Sequence, residues 1–231
     1  MPKLRQFMDS FPTPVPASSM LPDWWKAKDT FMNKDSSPKN GSVHATVKKC
    51  QAIFDSMTAG YYILCPIDIY IDATKEKLDI QVPREFQGRY HQIISSHSQE
   101  QIEGYPKPAG YHKDLVRIHP HWLIKTQKGY SALFIQPLHI KTDLLAISGY
   151  IDTDTFISDG YLSFWIPQNF KGMIKQGTPL VQVIPIKRDD WESSVFEDPD
   201  SDNIIEKQQQ KKGTTFINGY RQKFWIKKTY R

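Results

Sequence analysis

Two neighbouring stretches decide the fold: SGYIDTD at residues 148–154 and IKQGTPLVQVI at residues 174–184. The first contains a glycine and two aspartates, residue types that favour turns. The second places a Gly-Thr-Pro turn before an apolar run of strand length. Between Val116 and Ile186, further short apolar runs, including one at 122–126, are predicted to be strands and are separated by Gly, Pro and Asp at close spacing. This spacing predicts a mostly-β sandwich or jelly roll rather than βαβ units.

Outward from this centre, proline content and charge divide the chain into three segments. Residues 1–42 are rich in proline, which disfavours long helices and central strands, so we expect an extended arm there. Residues 43–190 are predicted to form the β domain, with a less regular insertion at about 76–115. The segment 191–231 is predicted to contain a polar helix from about Asp200 to Lys212, for which Asp200 and Ser201 offer caps and Gly213 a stop. A basic, aromatic tail follows it.

The overall composition is that of a soluble protein. The chain has 231 residues, 39% of them hydrophobic, and a mean hydropathy of −0.54. No apolar stretch approaches the roughly 20 residues that a membrane helix requires, and no secretory signal precedes the arm. The two cysteines, Cys50 and Cys65, are expected to stay reduced. We therefore expect a cytoplasmic protein without membrane contact.

Positive charge is concentrated at the C-terminus. Residues 203–231 contain eight Lys or Arg and one Glu, whereas the whole chain carries a net charge of +5. Aromatic residues are interleaved with these cations, a pattern that suits phosphate contacts and base stacking in single-stranded nucleic acid. An ordered arm that packs its aromatic residues on a neighbouring subunit is the interpretation we favour, because large aromatic residues seldom stay exposed without a partner.

The arm has its own aromatic pair in LPDWWK at residues 21–26. Two adjacent tryptophans need a cover, supplied either by the chain's own β core, which is the simpler interpretation, or by another molecule. The candidate contacts to a partner or to nucleic acid in the arm and tail are Trp24, Trp25, Arg221, Lys223, Trp225, Lys227 and Lys228.

Four motifs resemble, in order and spacing, those of the dUTPase and dCTP-deaminase superfamily. TAGYYI at 58–63 resembles the family's Ala-Gly motif, and GYSALF at 129–134 lies where the serine-containing second motif is expected. GYID at 149–152 resembles the Gly-x-Ile-Asp turn, and GTPLVQ at 177–182 resembles the strand that ends in glutamine. The resemblance covers residues 58–186 and implies a dUTPase-like β-barrel or jelly-roll core. It also implies a homotrimer, since that fold usually shares strands or tails around a three-fold axis.

The resemblance also implies roles for individual residues. Asp152 takes the place of the aspartate that orients a water or the deoxyribose hydroxyl, and Ser131 that of the phosphate-contacting serine. Lys128 is the cation near this serine, Phe156 stands beside the position of the aromatic residue that packs on deoxyribose, and Gln182 supports its strand. The implied reaction is magnesium-assisted attack of water on the α-phosphate of a deoxynucleotide. If the chain is not an enzyme, no cofactor is expected.

Departures from the family motifs favour a protein that has lost this reaction. Tyr62 replaces the aspartate of the first motif, and the arginine before Ser131 is absent. The Gly-rich C-terminal motif that closes over the triphosphate has no counterpart, and no glutamate can be placed as the general acid and base of a deaminase. Asp152 and Asp154 then have a second interpretation as turn formers that bond to their own backbone.

Over most of its length the chain also resembles uncharacterised proteins of tailed bacteriophages. The shared stretches are LPDWWK at 21–26, GYSALF at 129–134 and GTPLVQVIPIKRDDW at 177–191. This resemblance implies a phage origin, and hence a location in the host cytoplasm or the virion, but it implies no activity. The histidines of HPH at 119–121 are expected to be hydrogen-bonded or exposed, and no metal site is predicted.

The sequence therefore favours a phage-encoded, non-catalytic, oligomeric β protein that acts in assembly or binds a nucleotide or a host or virion protein. A divergent dUTP or dCTP hydrolase or deaminase is the alternative, and a single-stranded nucleic-acid binder that uses the basic tail is the third hypothesis. The first two hypotheses are distinguished by one observation, which is whether Ser131, Asp152 and a basic side chain converge on a pocket at a subunit boundary.

Overall fold

The computed structural model describes residues 10–32, 45–97, 99–157, 159–160, 162–195, 200–213 and 219–230. Parts of the predicted arm and tail, at 1–9, 33–44 and 214–218, lie outside these residues. The described chain is mostly β, which confirms the expected fold class at that level. Its strands are β1 (Val15–Pro16), β2 (Tyr61–Leu64), β3 (Ile69–Asp72), β4 (Asp79–Gln81), β5 (Ile94–His97), β6 (Tyr111–Ile118), β7 (Tyr130–Ile135), β8 (Leu145–Ala146), β9 (Gly149–Ile151), β10 (Leu162–Pro167), β11 (Lys171–Ile174) and β12 (Pro179–Lys187).

The helices lie mainly outside the central run of strands. Short 3-10 turns occur at Ala17–Met20, Val47–Lys49, Arg84–Arg89 and Glu100–Ile102. The α-helices are α1 (Asp23–Ala27), α2 (Gln51–Thr58), α3 (Tyr90–Ile93), α4 (Ser201–Gly213) and α5 (Gly219–Lys223). In the part of the chain that the structure describes, no helix has both the length and the apolar character needed to cross a bilayer.

The strands pair antiparallel in three sheets. The first sheet has the order β1-β2-β12-β7-β9, the second β5-β6-β10-β8 and the third β11-β3-β4. Across the described residues these sheets do not close into a barrel. The segment 76–115, expected as an insertion, supplies β4, β5 and the first five residues of β6, so it contributes strands to the second and third sheets.

One hydrophobic core joins the three sheets. Ile63 and Phe134 of the first sheet, Val116 and Phe164 of the second and Ile71 of the third are each at most 2% exposed and belong to one contiguous cluster. Burial of a side chain of this size contributes about 1.5–3 kcal/mol relative to exposure. The shared core therefore holds the three sheets in one unit.

Gly60, the glycine of the TAGYYI motif, has a backbone conformation and a close neighbour that require glycine. Its φ of +67° lies in the left-handed region, and a Cβ at this position would stand 1.9 Å from the carbonyl oxygen of Val183. Only glycine adopts this backbone and leaves this space. The motif is therefore needed for the entry of the chain into β2 beside β12.

The described part of the N-terminal arm docks on the β core. Phe11 is 4% exposed, and its ring lies 6.0 Å from that of Phe86 and 5.6 Å from that of His121. Trp122 Nε1 donates to the Pro12 carbonyl at 2.9 Å, and β1 extends the first sheet by pairing with β2. Aromatic packing and strand pairing together tie this segment to its own chain.

Candidate functional site

Ser131, Asp152 and a basic side chain do converge in the structure. Ser131 Oγ donates to Asp152 Oδ1 at 2.6 Å and accepts from Arg188 Nη1 at 2.9 Å. The same Nη1 lies 3.3 Å from Asp152 Oδ1. These side chains come from β7, from the turn that follows β9 and from the residue after β12. The basic member, Arg188, was not among the residues predicted from the sequence.

Asp154 completes this group, which we call the Ser131 cluster (Ser131, Asp152, Asp154 and Arg188). Both terminal nitrogens of Arg188 bond to the Asp154 carboxylate, Nη1 to Oδ1 at 2.9 Å and Nη2 to Oδ2. The Gly129 amide donates to Oδ2 at 2.8 Å, and the Asp154 side chain is only 4% exposed. The hydrogen bonds from Arg188 and then from Gly129 lower the pKa of Asp154 to about 2.

Strand register explains why these residues meet. In the β12–β7 ladder Ile186 pairs with Ser131 and Lys187 with Tyr130, and the Arg188 amide then donates to the Gly129 carbonyl at 2.8 Å. In the β7–β9 ladder Ala132 pairs with Ile151, which places the next residue, Asp152, beside Ser131. Antiparallel pairing thus brings together residues that are up to 57 positions apart. The sequence did contain one signal for the role of Arg188. It is a cation at the end of a predicted strand, and the turn at Asp152 and Asp154 offers two carboxylates with which it could pair.

The Ser131 cluster satisfies its own polar groups. The Ser131 hydroxyl uses its one proton on Asp152 and accepts from Arg188. Two carboxylates and one guanidinium give the cluster a formal charge of −1. A phosphate brought here meets two negative side chains and a guanidinium whose Nη1 and Nη2 atoms already bond to the Asp154 carboxylate, so the arrangement opposes an anion.

Two predicted residues flank the cluster and a third does not. Lys128 is exposed and precedes Gly129, and Phe156 is 52% exposed with its amide donating to the Asp152 carbonyl at 2.8 Å. Gln182 pairs with Ile135, four residues along β12 from the partner of Ser131, which is about 14 Å at normal strand rise. It lies in the interior, apart from the cluster.

Gln182 instead joins three parts of the backbone. It is fully buried, and its Oε1 accepts from the Leu138 amide at 3.0 Å. Its Nε2 donates to the carbonyls of Ser56 at 2.8 Å and Ala59 at 2.7 Å. The side chain therefore supports its strand, the role that the resemblance implied, by connecting β12 to the end of α2 and to the loop after β7.

The tryptophans of the arm contact the chain itself. Trp25 is 5% exposed, and its ring lies 6.0 Å from that of Phe54 on α2. Trp24 is 41% exposed and donates through Nε1 to the His139 carbonyl at 2.8 Å. The contacts of Trp25 match the simpler of the two sequence interpretations, in which the pair docks on its own chain.

The C-terminal tail docks on the same helix through Asp55. Trp225 Nε1 donates to both carboxylate oxygens of Asp55, at 3.0 and 2.8 Å, and Lys228 Nζ donates at 2.6 Å. Burial opposes ionisation of Asp55, but hydrogen bonds from Lys228, Trp225 and Gln51 outweigh it and lower its pKa. Trp225 and Lys228 therefore hold the tail in place, while Lys223 and Lys227 are exposed.

Between arm, α2 and tail lies a cleft of about 300 Å³, which we call the arm–tail cleft. Residues from all three segments form it, and none of those described there is acidic. The lining residues are Trp25, Thr30, Lys48, Lys49, Gln51, Phe54, Tyr220 and Arg221.

A separate row of three hydrogen-bonded polar side chains lies at the second sheet. Ser95 Oγ is 3.1 Å from His119 Nε2, and His119 Nδ1 is 3.2 Å from Asp159 Oδ2. Elsewhere, His112 accepts from the Asp114 amide at 3.1 Å and lies 3.2 Å from the Lys75 carbonyl. Over the described residues, no three His, Cys, Asp or Glu side chains are placed to hold a metal ion. These histidines are bonded within the protein.

No protein-family model matches the chain, and no match is found among curated proteins or solved structures. The resemblances to dUTPases and to phage proteins thus rest on the sequence motifs alone. The function of this chain has to be argued from the contacts of the Ser131 cluster and of the arm–tail cleft.

Proposed function

We propose that this chain is a phage-encoded, non-catalytic, oligomeric β protein with a dUTPase-like core, which acts in assembly or binds a nucleotide or a host or virion protein. One observation carries the non-catalytic part. The Arg188 guanidinium, the basic group beside Ser131 and Asp152, is bonded to Asp154 and Ser131 within the protein.

Phosphoryl transfer depends on cations that are arranged in advance around the phosphates. Here the guanidinium would have to leave a carboxylate that is 4% exposed before it could bind a phosphate. Such a move would leave Asp154 with backbone amides as its hydrogen-bond donors, close to the like charge of Asp152. The ion pair that stabilises the turn is therefore the obstacle to substrate binding.

An oligomer is supported by the edge of the first sheet. Strand β9 is an outer strand, and Tyr150 within it is 52% exposed. Phe156 and Ile157, in the turn that follows, are 52% and 49% exposed. An open edge flanked by exposed apolar side chains is a surface that a second copy of the chain would cover.

The convergence of Ser131, Asp152 and Arg188 also favours a second candidate, a divergent dUTP or dCTP hydrolase or deaminase. The two proposals are separated by assays of pyrophosphate release and deamination with magnesium across all deoxynucleoside triphosphates. We expect no turnover above background, since loss of a single preorganised donor typically costs about 10²–10³ in rate. Turnover that Asp152→Asn abolishes and the surface variant Asp189→Asn retains would establish the enzyme instead.

The oligomer is tested separately by light scattering. We expect a mass of three times the chain mass of 26.8 kDa. Tyr150→Ser should lower the mass if β9 forms the contact. Met173→Ser is the matched control, because Met173 is a 42% exposed residue on the edge strand of the third sheet. A monomer at micromolar concentration, or equal effects of the two variants, would contradict the proposed interface.

A further inference from the structure

His121 lies where the N-terminal arm docks on the β core, in the loop between β6 and β7. Its ring is stacked on that of Phe11, with 5.6 Å between the ring centroids and 20° between the ring planes. Phe11 is 4% exposed, and the residue after His121, Trp122, donates its indole proton to the Pro12 carbonyl at 2.9 Å. The imidazole therefore forms part of the surface that this end of the arm covers.

The two nitrogens of this imidazole have different surroundings. The ring donates one hydrogen bond to the backbone of Gln92 on α3. Nε2 is buried and has no hydrogen-bond partner among the described residues. A neutral imidazole carries a single proton, so the bond to Gln92 leaves Nε2 as the unprotonated nitrogen. Nε2 is thus a buried site for a proton, with no acceptor in the described chain to receive the resulting N–H.

The backbone holds His121 in an uncommon conformation. Its φ of +61° lies in the left-handed region, which few residues with a Cβ adopt. His139 has the same φ, but its side chain is exposed. Such a conformation persists where the surrounding structure requires it. At His121 the stacked Phe11 ring and the bond to Gln92 are the contacts that fix the imidazole in place.

Protonation of Nε2 would place a positive charge in this junction. A buried charge without a hydrogen-bond partner costs far more free energy than an unpaired neutral nitrogen. Stacking of a cation on a phenylalanine ring recovers only about 0.5–2 kcal/mol. Burial, followed by the charge of His119, lowers the pKa of His121. The charge of Asp159 and the bond to Gln92 oppose this shift but do not reverse it.

The charged groups around the junction do not supply the missing acceptor. The carboxylate of Asp159 lies 3.2 Å from His119 Nδ1 and is shared with that ring. On the turn that precedes α3, Arg84 and Glu85 are exposed. The arm contributes no charged side chain over residues 10–16. Within the described part of the junction, the docked arm is therefore compatible with the neutral form of the imidazole.

We propose that His121 is a pH-dependent switch for docking of the N-terminal arm: the neutral imidazole holds Phe11 on the core, and protonation at Nε2 releases it. Docking is fully stabilised above the ordinary histidine pKa of 6.5 and weakens as the pH falls below that value. β1 pairs with β2 away from the imidazole, so the released segment is the part of the arm before β1. Release exposes Phe11 and the Phe86 ring 6.0 Å from it, an apolar surface that becomes available to a partner.

Docking of Phe11 is measured by fluorine NMR on the full chain labelled with fluorophenylalanine. The Phe11 resonance is assigned by its absence in Phe11→Leu. Between about pH 8 and about pH 5, the range in which histidine titrates, we expect this resonance to move from a buried to a solvent-exposed position. The resonances of Phe134 and Phe164 in the core should stay unchanged. A Phe11 resonance that is independent of pH, or a change of all three resonances together, would contradict the inference.

A histidine variant identifies the titrating group. His121→Asn removes the titration, and asparagine tolerates the left-handed backbone. This variant should keep Phe11 in one environment over the whole pH range. His139→Asn is the matched control, because it makes the same change at the same φ on an exposed residue, and it should retain the response of the parent. A response that persists in His121→Asn would belong to another group, such as His119, and would overturn the inference.

The converse measurement follows the imidazole while the arm is altered. Phe11→Ala uncovers the ring, so the pKa of His121, obtained by proton NMR titration, should rise towards 6.5. The coupling between docking and protonation is reciprocal, which requires this rise if protonation releases the arm. Phe156→Ala, the same substitution at a 52% exposed phenylalanine, should leave the pKa of His121 unchanged. No rise in Phe11→Ala, or equal rises in the two variants, would show that the arm does not keep His121 neutral.

Discussion

The Ser131 cluster and the arm–tail cleft handle charge in opposite ways. In the cluster, the terminal nitrogens of one guanidinium bond to a serine and two carboxylates of the same chain. In the cleft, three cationic residues line a cavity in which no described residue is acidic. The region that resembles a catalytic site in sequence places two carboxylates around one guanidinium, whereas the cleft, which contains no catalytic motif, is lined by cations. A motif therefore locates the residues, but their partners decide the chemistry.

The largest effect is expected at Gln182, which connects β12 to the end of α2 and to the loop after β7. Gln182→Leu would leave the Leu138 amide and the carbonyls of Ser56 and Ala59 without their partner. Each unsatisfied buried group costs about 1–3 kcal/mol, so the free energy of unfolding should fall by about 3 kcal/mol or more. Chemical denaturation measures this loss.

The control for Gln182 is Gln168→Leu, the same substitution at an exposed position in the turn before β11. A surface change of this kind usually stays within about 0.5 kcal/mol. Similar losses in the two variants would mean that the hydrogen bonds of Gln182 do not connect β12 to α2 in the way that the contacts indicate.

Arg188→Gln should have the next largest effect, and the effect should depend on pH. The folded pKa of Asp154, about 2, is below the ordinary value of 3.8, so its ion pair contributes stability above about pH 4. That contribution is lost as the pH falls from about 4 to about 2. Without the guanidinium the pKa of Asp154 rises, so the variant should be less stable than the parent at neutral pH.

The stability difference between parent and Arg188→Gln should narrow towards about pH 2, because both proteins then carry a protonated Asp154. Urea denaturation at several pH values gives this profile. Lys187→Gln is the control, since Lys187 pairs with Asp189 in an ion pair in which both side chains are about half exposed. A pH-independent difference would show that Arg188 acts by packing and not by its charge.

Local pattern was sufficient to predict much of the fold. Alternation and turn residues predicted β12, and the cap at Ser201 with the glycine at 213 predicted α4. The strand predicted at 122–126 is wrong: the described chain runs there as a loop, with Trp122 bonded to Pro12 and Thr126 to Thr153. Side chains in this stretch match a strand pattern, but they bond to segments that are distant in sequence.

The contacts that define the two sites depend on pairing between distant segments. Arg188 reaches Ser131 because of the register between β12 and β7, which a single sequence does not contain. Trp225 was predicted to meet a partner, but Asp55, 170 positions earlier, accepts its indole proton. The residue type alone predicts that a tryptophan packs against another group, but only the tertiary structure identifies that group.

A local effect is expected when the tail loses its anchor. Asp55→Ala removes the acceptor for both Trp225 and Lys228. The tail should become sensitive to limited proteolysis, because its hydrogen bonds to Asp55 on α2 are then lost. The main melting transition should change little. Asp202→Ala, an exposed change in α4, is the control, and an equally resistant tail in Asp55→Ala would contradict this docking.

The smallest effect is expected at Ser95, although its contacts are the most suggestive of catalysis. A serine, a histidine and an aspartate are linked in the order that serine hydrolases use. In those enzymes, however, the nucleophile lies beside backbone amides that point at the developing oxyanion. Ser95 lies within β5, in regular register with Arg117, and its neighbours continue the ladder with β6. We therefore interpret the three residues as a connection between β5 and the loops that follow β6 and precede β10.

Ser95→Ala should accordingly lower the free energy of unfolding by about 1 kcal/mol, the usual net contribution of one hydrogen bond. A fluorophosphonate probe, which reacts with activated serines, should not label the parent protein. Ser96→Ala is the matched control, because Ser96 is an exposed neighbour on the same strand. Labelling that both Ser95→Ala and His119→Asn abolish, and that Ser96→Ala retains, would show an activated nucleophile. The chain would then have a catalytic centre on its second sheet, distant in sequence from both regions compared above.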